Sequence, residues 1–210
     1  MKFRNILAHA GVYEAFQRLV GAERERRLYV ERYVRPQEGD RVLDVGCGPA
    51  DILDALPSVT YVGFDMSRDY IQSARRKYGA RGEFEVGTVN EAMIGKHNGF
   101  DLVLANGVLH HLPDKDATAL FTLAKAALKP GGRLVTFDGC YVESQSSIAR
   151  FLLKKDRGEH VRDKESYLSL AAGVFSDVIA SVTDDLLRVP YTHLIMECRR
   201  ERSSDGSQTP

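Results

Sequence analysis

Nothing constrains this chain more than the nine residues Val42-Leu43-Asp44-Val45-Gly46-Cys47-Gly48-Pro49-Ala50. An apolar run of strand length breaks into two glycines one residue apart, and a proline just past them is placed to open a helix. Strand, glycine turn and helix in that order bring backbone N–H groups and a helix N-terminus up to a bound ligand. A second apolar strand, Tyr61-Val62-Gly63-Phe64, follows about 20 residues on and ends in Asp65, an acid placed to accept two hydrogen bonds from a ribose diol. A dinucleotide fingerprint wants Gly-x-Gly-x-x-Gly and no anion beside the pyrophosphate, whereas this turn reads Asp-x-Gly-x-Gly-x-Ala from Asp44. A carboxylate there favours a cationic ligand.

From Arg41 onward the pattern alternates strand and helix. Strands are expected near 41–45, 60–65, 83–87, 100–105 and 132–138, and helices near 50–56, 67–78 and 115–129, the last stopped by Pro130-Gly131-Gly132. Such alternation builds a parallel sheet covered on both faces. Ahead of it, residues 9–34 read as helix, with Val12, Phe16, Leu19 and Val20 on one stripe and Leu28, Tyr29, Tyr33 and Val34 on another. Beyond it, 144–155 and 163–172 read as helices and 175–182 and 191–198 as strands. A length of 210 residues suits one domain over 1–200, made of a helical cap (1–37) and a core (38–200), with 201–210 as a polar, disordered tail.

The glycine turn is followed, in order, by Phe100-Asp101-Leu102-Val103-Leu104-Ala105-Asn106-Gly107-Val108-Leu109-His110-His111-Leu112 and by Leu128-Lys129-Pro130-Gly131-Gly132-Arg133-Leu134-Val135. With Asp65 this set resembles the class I S-adenosylmethionine-dependent methyltransferases of the small-molecule type, over roughly residues 38–198. The resemblance implies a Rossmann-like, doubly wound, seven-stranded sheet. It would be mostly parallel, with one antiparallel strand supplied by a C-terminal hairpin and inserted beside the fifth strand. It also implies S-adenosyl-L-methionine as cofactor. Asp44, Gly46, Cys47 and Gly48 would meet its methionine and ribose parts, the turn amides donating to the carboxylate and Asp44 answering the ammonium. Asp65 would take the ribose hydroxyls, with Met66 over the adenine. Thr88 and Val89 stand where the family commonly has an acid for the adenine amine, so the Thr88 hydroxyl, or Asn90, would substitute. Asn106 and Gly107 would contact the methionine moiety and floor the acceptor pocket. Ala50 stands where the family often has a third glycine.

The acceptor is less well marked. Asn106-Gly107-Val108-Leu109 lacks the Asn/Asp-Pro-Pro-aromatic signature of enzymes that methylate base amines, and no Asp/Asn cluster marks a metal-dependent catechol site. Asp114 and Asp116 lie at a helix start, where capping explains them, and no metal is expected. His110 is a candidate general base, because imidazole titrates near neutrality, although a positioning role for the His-His-Leu run is favoured. Tyr141 is a second candidate, and Asp138 and Tyr191 are expected on the same side. Arg150 to Arg162, with Lys154, Lys155, Arg157 and His160, is the one pronounced charge cluster. It reads first as an amphipathic surface helix, second as a lid gripping a carboxylate or phosphate on the acceptor, and third as a weak membrane contact.

With 29 basic and 29 acidic residues there is no net charge to draw the chain to a polyanion, so nucleic acid is not expected as a partner. No apolar run approaches the ~20 residues that span a bilayer, and no secretory signal is evident, so a cytoplasmic location without stable membrane association is expected. Cys47, Cys140 and Cys198 are too scattered for a disulfide or zinc set and read as reduced thiols. The function expected is metal-independent methyl transfer to a small molecule, most simply O-methylation of a metabolite or of a sugar or secondary-metabolite intermediate. The alternatives are C-methylation of a quinone- or lipid-like acceptor, favoured by a deep apolar pocket, and a non-catalytic cofactor-binding partner subunit.

Overall fold

The computed structural model describes residues 21–90, 98–155 and 158–202. Its strands are β1 (Arg41–Val45), β2 (Thr60–Asp65), β3 (Gly82–Val86), β4 (Phe100–Asn106), β5 (Leu128–Tyr141), the two-residue β6 (Arg162–Asp163), β7 (Asp177–Thr183) and β8 (His193–Arg199). They pair in the order β3-β2-β1-β4-β5-β8-β7, with β6 set against the far end of β5. The chain starts in the middle at β1, winds out to β3, then returns to the other side of β1 as β4, so Leu43 lies between Val62 and Val103. That reversal opens a crevice beyond the carboxyl ends of β1 and β4, where open α/β sheets bind ligands. The hairpin inserts β8 antiparallel to both β5 and β7, leaving it the one antiparallel strand of the seven-strand path.

Strand periodicity sorts the apolar residues into two cores. Leu43, Val62, Val103 and Leu134 point to one face and are covered by α3 (Asp114–Ala127) and α5 (Lys164–Ala172) through Ala117, Phe121, Tyr167 and Ala171. Val42, Tyr61, Leu102, Leu104 and Val135 point to the other, under α1 (Ala22–Tyr29), a π turn at Val30–Val34, and α2 (Arg68–Tyr78). Near-continuous burial along β1 and β4 is what a strand covered on both faces requires.

Several boundaries differ from expectation for identifiable reasons. The helix expected at 50–56 is a single 3-10 turn, Asp51–Asp54, because Ala50 takes a left-handed conformation (φ 59°) and caps the turn instead of joining it. Helix α3 stops at Ala127 and not at Lys129, since Leu128 already pairs with Phe100. The Pro130-Gly131-Gly132 stretch is carried into β5 by backbone hydrogen bonds between Gly131, Gly132 and Arg200. Phe175 belongs to the core, edge-on to Phe121, and β7 begins only at Asp177. Of the helix expected over 9–34, Val12, Phe16, Leu19 and Val20 lie outside the described residues, as does the tail from Ser203. Among the described residues, no helix is long and apolar enough to cross a membrane.

Candidate active site

The turn after β1 is locked by its own amides. Gly46 N–H and Cys47 N–H donate to the Phe64 carbonyl at 2.8 and 2.9 Å, and Gly48 N–H donates to Asp65 Oδ2 at 2.9 Å. The expectation that these amides donate to a ligand carboxylate is therefore corrected: all three fasten the turn to β2, and the four-residue 3-10 turn that follows presents no helix N-terminus. Gly46 sits at φ 73°, and a Cβ there would lie 2.6 Å from Val108 Cγ2, so both conformation and space demand glycine. The left-handed Ala50 shows why a glycine would be easier at its position.

Asp44 is 2% exposed. Tyr61 Oη donates to its Oδ2 at 2.6 Å, while its buried Oδ1 has no hydrogen-bond partner among the described residues. Burial, reinforced by the nearby Asp65 charge and offset in part by the Tyr61 bond, pushes its pKa up to about 7. A buried, half-satisfied carboxylate of this kind fits a ligand ammonium, which would supply both the missing donor and the missing charge. Burial also pushes the Cys47 thiol up, with Asp44 and Asp65 adding to it, which rules it out as a ready nucleophile.

Helix α1 closes the crevice from above. Tyr29 Oη donates to Asn106 Oδ1 at 2.6 Å, and the Tyr29 ring lies 4.7 Å from that of Phe137. Phe137 stacks on His193 at 4.4 Å, and His193 Nε2 lies 3.3 Å from Glu25 Oε1. Arg24 donates to the Asp185 and Leu186 carbonyls and Arg32 pairs with Asp185, fixing α1 to the β7–β8 loop. Together these elements enclose a cavity of about 330 Å³ whose side-chain walls are Glu25, Arg26, Tyr29, Asp44, Asn106 and Phe137. Gly46, Cys47, Gly48 and Gly107 form its backbone floor.

Six of the expected cofactor residues, Asp44, Gly46, Cys47, Gly48, Asn106 and Gly107, thus meet in one cavity. Asp65 adjoins it through Gly48, its other oxygen accepting Ser67 N–H at 2.7 Å, so it caps α2 as well. Met66 (78% exposed), Thr88 and Val89 lie outside the cavity at the open ends of β2 and β3, which Gly87 N–H ties to the Asp65 carbonyl. The two catalytic candidates do not line it either. His110 is buried beneath Gly107, its backbone N–H donating to Asp138 Oδ1 and its Nδ1 lying 2.8 Å from the same oxygen. Tyr141 sits farther along, at the end of β5. Asp138, expected on the acceptor side, is 3% exposed and serves this His110 junction.

Arg162 needs correction too. Its guanidinium donates to Asp114 Oδ1 and to the carbonyls of Leu109, His160 and Leu112, so it is a tether between segments and not a grip for an anion. Arg157 lies outside the described residues. On α4 (Ser147–Lys155), Arg150, Lys154 and Lys155 are solvated as the amphipathic reading expects, but the buried face is Ala149 and Leu153, and Ile148 and Phe151, expected with Leu152 on the apolar face, are exposed. Glu25, Arg26, Phe137 and His193 are absent from the residues singled out by sequence. An acid in a helix's first turn and an aromatic on a strand are ordinary features, and only the Tyr29 stripe hinted at a wall.

Comparison with known proteins identifies the family and matches the fold. Residues 36–196 match the model of a family described as a methyltransferase domain. Phosphoethanolamine N-methyltransferase 1 of Zea mays is 33% identical over 177 residues, which is 80% of this chain but 34% of that protein. The chain therefore spans about a third of that curated relative's length. Ubiquinone biosynthesis O-methyltransferase of Brucella melitensis is 29% identical over 185 residues, 81% of this chain and 71% of the relative. Among solved structures, Haemonchus contortus phosphoethanolamine N-methyltransferase 2 in complex with S-adenosyl-L-methionine superposes with a TM-score of 0.71 at 16% identity, covering 96% of this chain and 60% of that one.

Proposed function

From the premise that the chain belongs to the methyltransferase-domain family, we propose that it moves the methyl group of S-adenosyl-L-methionine to an oxygen of a small polar metabolite. The observation that carries this reading is the cavity beneath α1, which joins the Asp44 turn to side chains of α1, β4 and β5. When bound, the cofactor supplies an electrophilic methyl on a sulfonium, and the protein's task is chiefly alignment. In this reading the orphaned Asp44 Oδ1 receives the cofactor ammonium. Arg26, which lines the same cavity, takes over the carboxylate that the turn amides cannot hold. Asp65 keeps lone pairs for the ribose hydroxyls, with Met66, Thr88 and Val89 on the adenine side. Tyr29, hydrogen-bonded to Asn106, holds the lid over the methionine part. The reading treats 1–200 as one catalytic domain in the cytoplasm, with neither nucleic acid nor metal in its chemistry. Among the described residues, no His/Cys/Asp/Glu group could hold a metal ion.

The cavity of about 330 Å³ mixes the charged groups of Glu25, Arg26 and Asp44 with the apolar surface of Tyr29, Ile52 and Phe137, and the charged groups favour a polar acceptor over a quinone- or lipid-like one methylated at carbon. Nitrogen is the second reading. Its support is the Glu25 carboxylate facing the cavity, a natural partner for a protonated amine, together with the names of the plant relatives. Release of S-adenosylhomocysteine should be measured against matched hydroxylated and aminated metabolites, anionic and neutral. Turnover of a hydroxyl compound supports the first reading, and turnover of the amine alone moves nitrogen ahead. Cofactor binding without turnover of any acceptor would point to the non-catalytic alternative.

A further inference from the structure

Glu25 joins α1 to β8 through His193 and also presents its carboxylate to the cavity. It lies on the first turn of α1, lines the cavity opposite the Asp44 turn, and its side chain is 19% exposed. Its carboxylate lies 3.3 Å from His193 Nε2, and His193 is itself packed between Phe137 and Tyr191. Arg26 beside it on the helix turns toward Asp51 and Asp54, at 3.9 Å from each. A carboxylate buried at the edge of a cavity is unfavourable unless something there needs a negative charge.

We propose that Glu25, oriented by His193, is the anion that faces the reacting methyl and takes the acceptor's proton during transfer. The inference rests on the reading of the cavity as a methyl-transfer site. In the step, a lone pair on the acceptor heteroatom forms the bond to the methyl carbon and the carbon–sulfur bond breaks with its electron pair left on sulfur. The proton from the acceptor's O–H or N–H passes to the Glu25 carboxylate. The products are the methylated acceptor, S-adenosylhomocysteine and a protonated Glu25 that returns its proton to solvent. His193 is the positioning residue.

Two properties suit Glu25 to this role. Burial pushes its pKa up to about 7, with Arg26 opposing the shift, so near neutrality it can both accept a proton and release it. An anion beside the sulfonium also distinguishes the donor, which is positive there, from the product, which is not. The titratable and charged groups around Glu25 are His193, against its carboxylate, Tyr191, packed on His193, and Arg26 and Tyr29 on α1, Asp44 on β1 and Asp51 after the turn, which line the same cavity. Of these, Asp44 also titrates near neutrality, but the ammonium it is assigned is common to donor and product. A ratio of the two affinities therefore cancels the Asp44 contribution and keeps that of Glu25.

The test is calorimetric titration of the intact protein with S-adenosylmethionine and with S-adenosylhomocysteine between pH 6 and 8. The affinity ratio, donor over product, is expected to rise at least threefold across that range. Glu25→Gln should flatten the rise while leaving the homocysteine affinity within twofold, and Glu25→Asp, which keeps the charge, should restore part of it. A flat ratio in the native protein overturns the proposal, as does an unchanged rise in Glu25→Gln. Failure of both ligands to bind would overturn the methyl-transfer reading itself, whereas binding of both with a flat ratio removes only the role given to Glu25.

Discussion

The two walls of the cavity are built on different principles. The Asp44 wall is made within one strand-turn-strand unit, where the amides of Gly46, Cys47 and Gly48 close on Phe64 and Asp65. The opposite wall assembles side chains from distant stretches, Glu25 and Tyr29 from α1, Asn106 from β4 and Phe137 from β5, with His193 of β8 packed behind them. A backbone-built wall tolerates few residues and is written as a local motif. A wall built of long-range side-chain contacts leaves no motif and can change with the acceptor. The difference teaches why fold and cofactor could be read from the chain while the acceptor could not.

The largest effect should come from attacking the backbone-built wall. Gly46→Val places a branched side chain at φ 73° and against Val108, so it should destabilise the protein by about 1–3 kcal/mol and abolish cofactor binding. Thermal melting and calorimetry read the two losses. A folded variant that binds normally would show that this wall is not the cofactor's seat. Next is Arg162→Ala, which removes a tether to Asp114 and three carbonyls. It should cost about 1–2 kcal/mol of stability, seen as a lower denaturation midpoint, with cofactor affinity unchanged. Loss of acceptor affinity in a fully stable variant would bring back the anion grip.

Asp65→Ala should weaken cofactor binding by about 1–3 kcal/mol, through the ribose hydroxyls it no longer accepts and the Gly48 amide it no longer holds. Equal affinity would leave Asp65 as a helix cap alone. The smallest effect is on the ligand-free protein as pH changes. Asp44 and Glu25 both have folded-state pKa values raised by burial to about 7 from the ordinary carboxylate values of 3.8 and 4.5. The folded state thus holds protons that the unfolded chain has released. Their contribution is fully present below about pH 4 and is lost as pH rises through 7. Melting temperature should therefore carry a downward component between pH 4 and 7 that Asp44→Asn reduces and bound S-adenosylmethionine offsets at neutral pH. Identical pH profiles for the native protein and Asp44→Asn would contradict the buried charge.

Legibility in the sequence follows the same division. The β1 turn, Asp65 and the alternation of strand and helix were readable because each depends on residues near in sequence, and the two-face burial of β1 and β4 follows from it. The 3-10 turn after Ala50 reads as a helix in the sequence because pattern alone does not show a left-handed alanine. Use of the turn amides on β2 was hidden for a similar reason, since a glycine turn looks the same whether its N–H groups face a ligand or a neighbouring strand. His110 drew attention by its chemistry, yet its position under Gly107 against Asp138 depends on where β5 ends. Glu25 and His193 are 168 residues apart in number and meet only because the hairpin brings β8 beside β5, under α1.

The central claim is that the cavity between these two walls is the seat of a cationic methyl donor, and a ligand titration tests it most directly. Calorimetry of the native protein with S-adenosylmethionine, S-adenosylhomocysteine and a nicotinamide dinucleotide should give one-site binding for the first two and none for the third, with Gly46→Val losing both. Binding of the dinucleotide with no response to either methionine derivative would contradict the account.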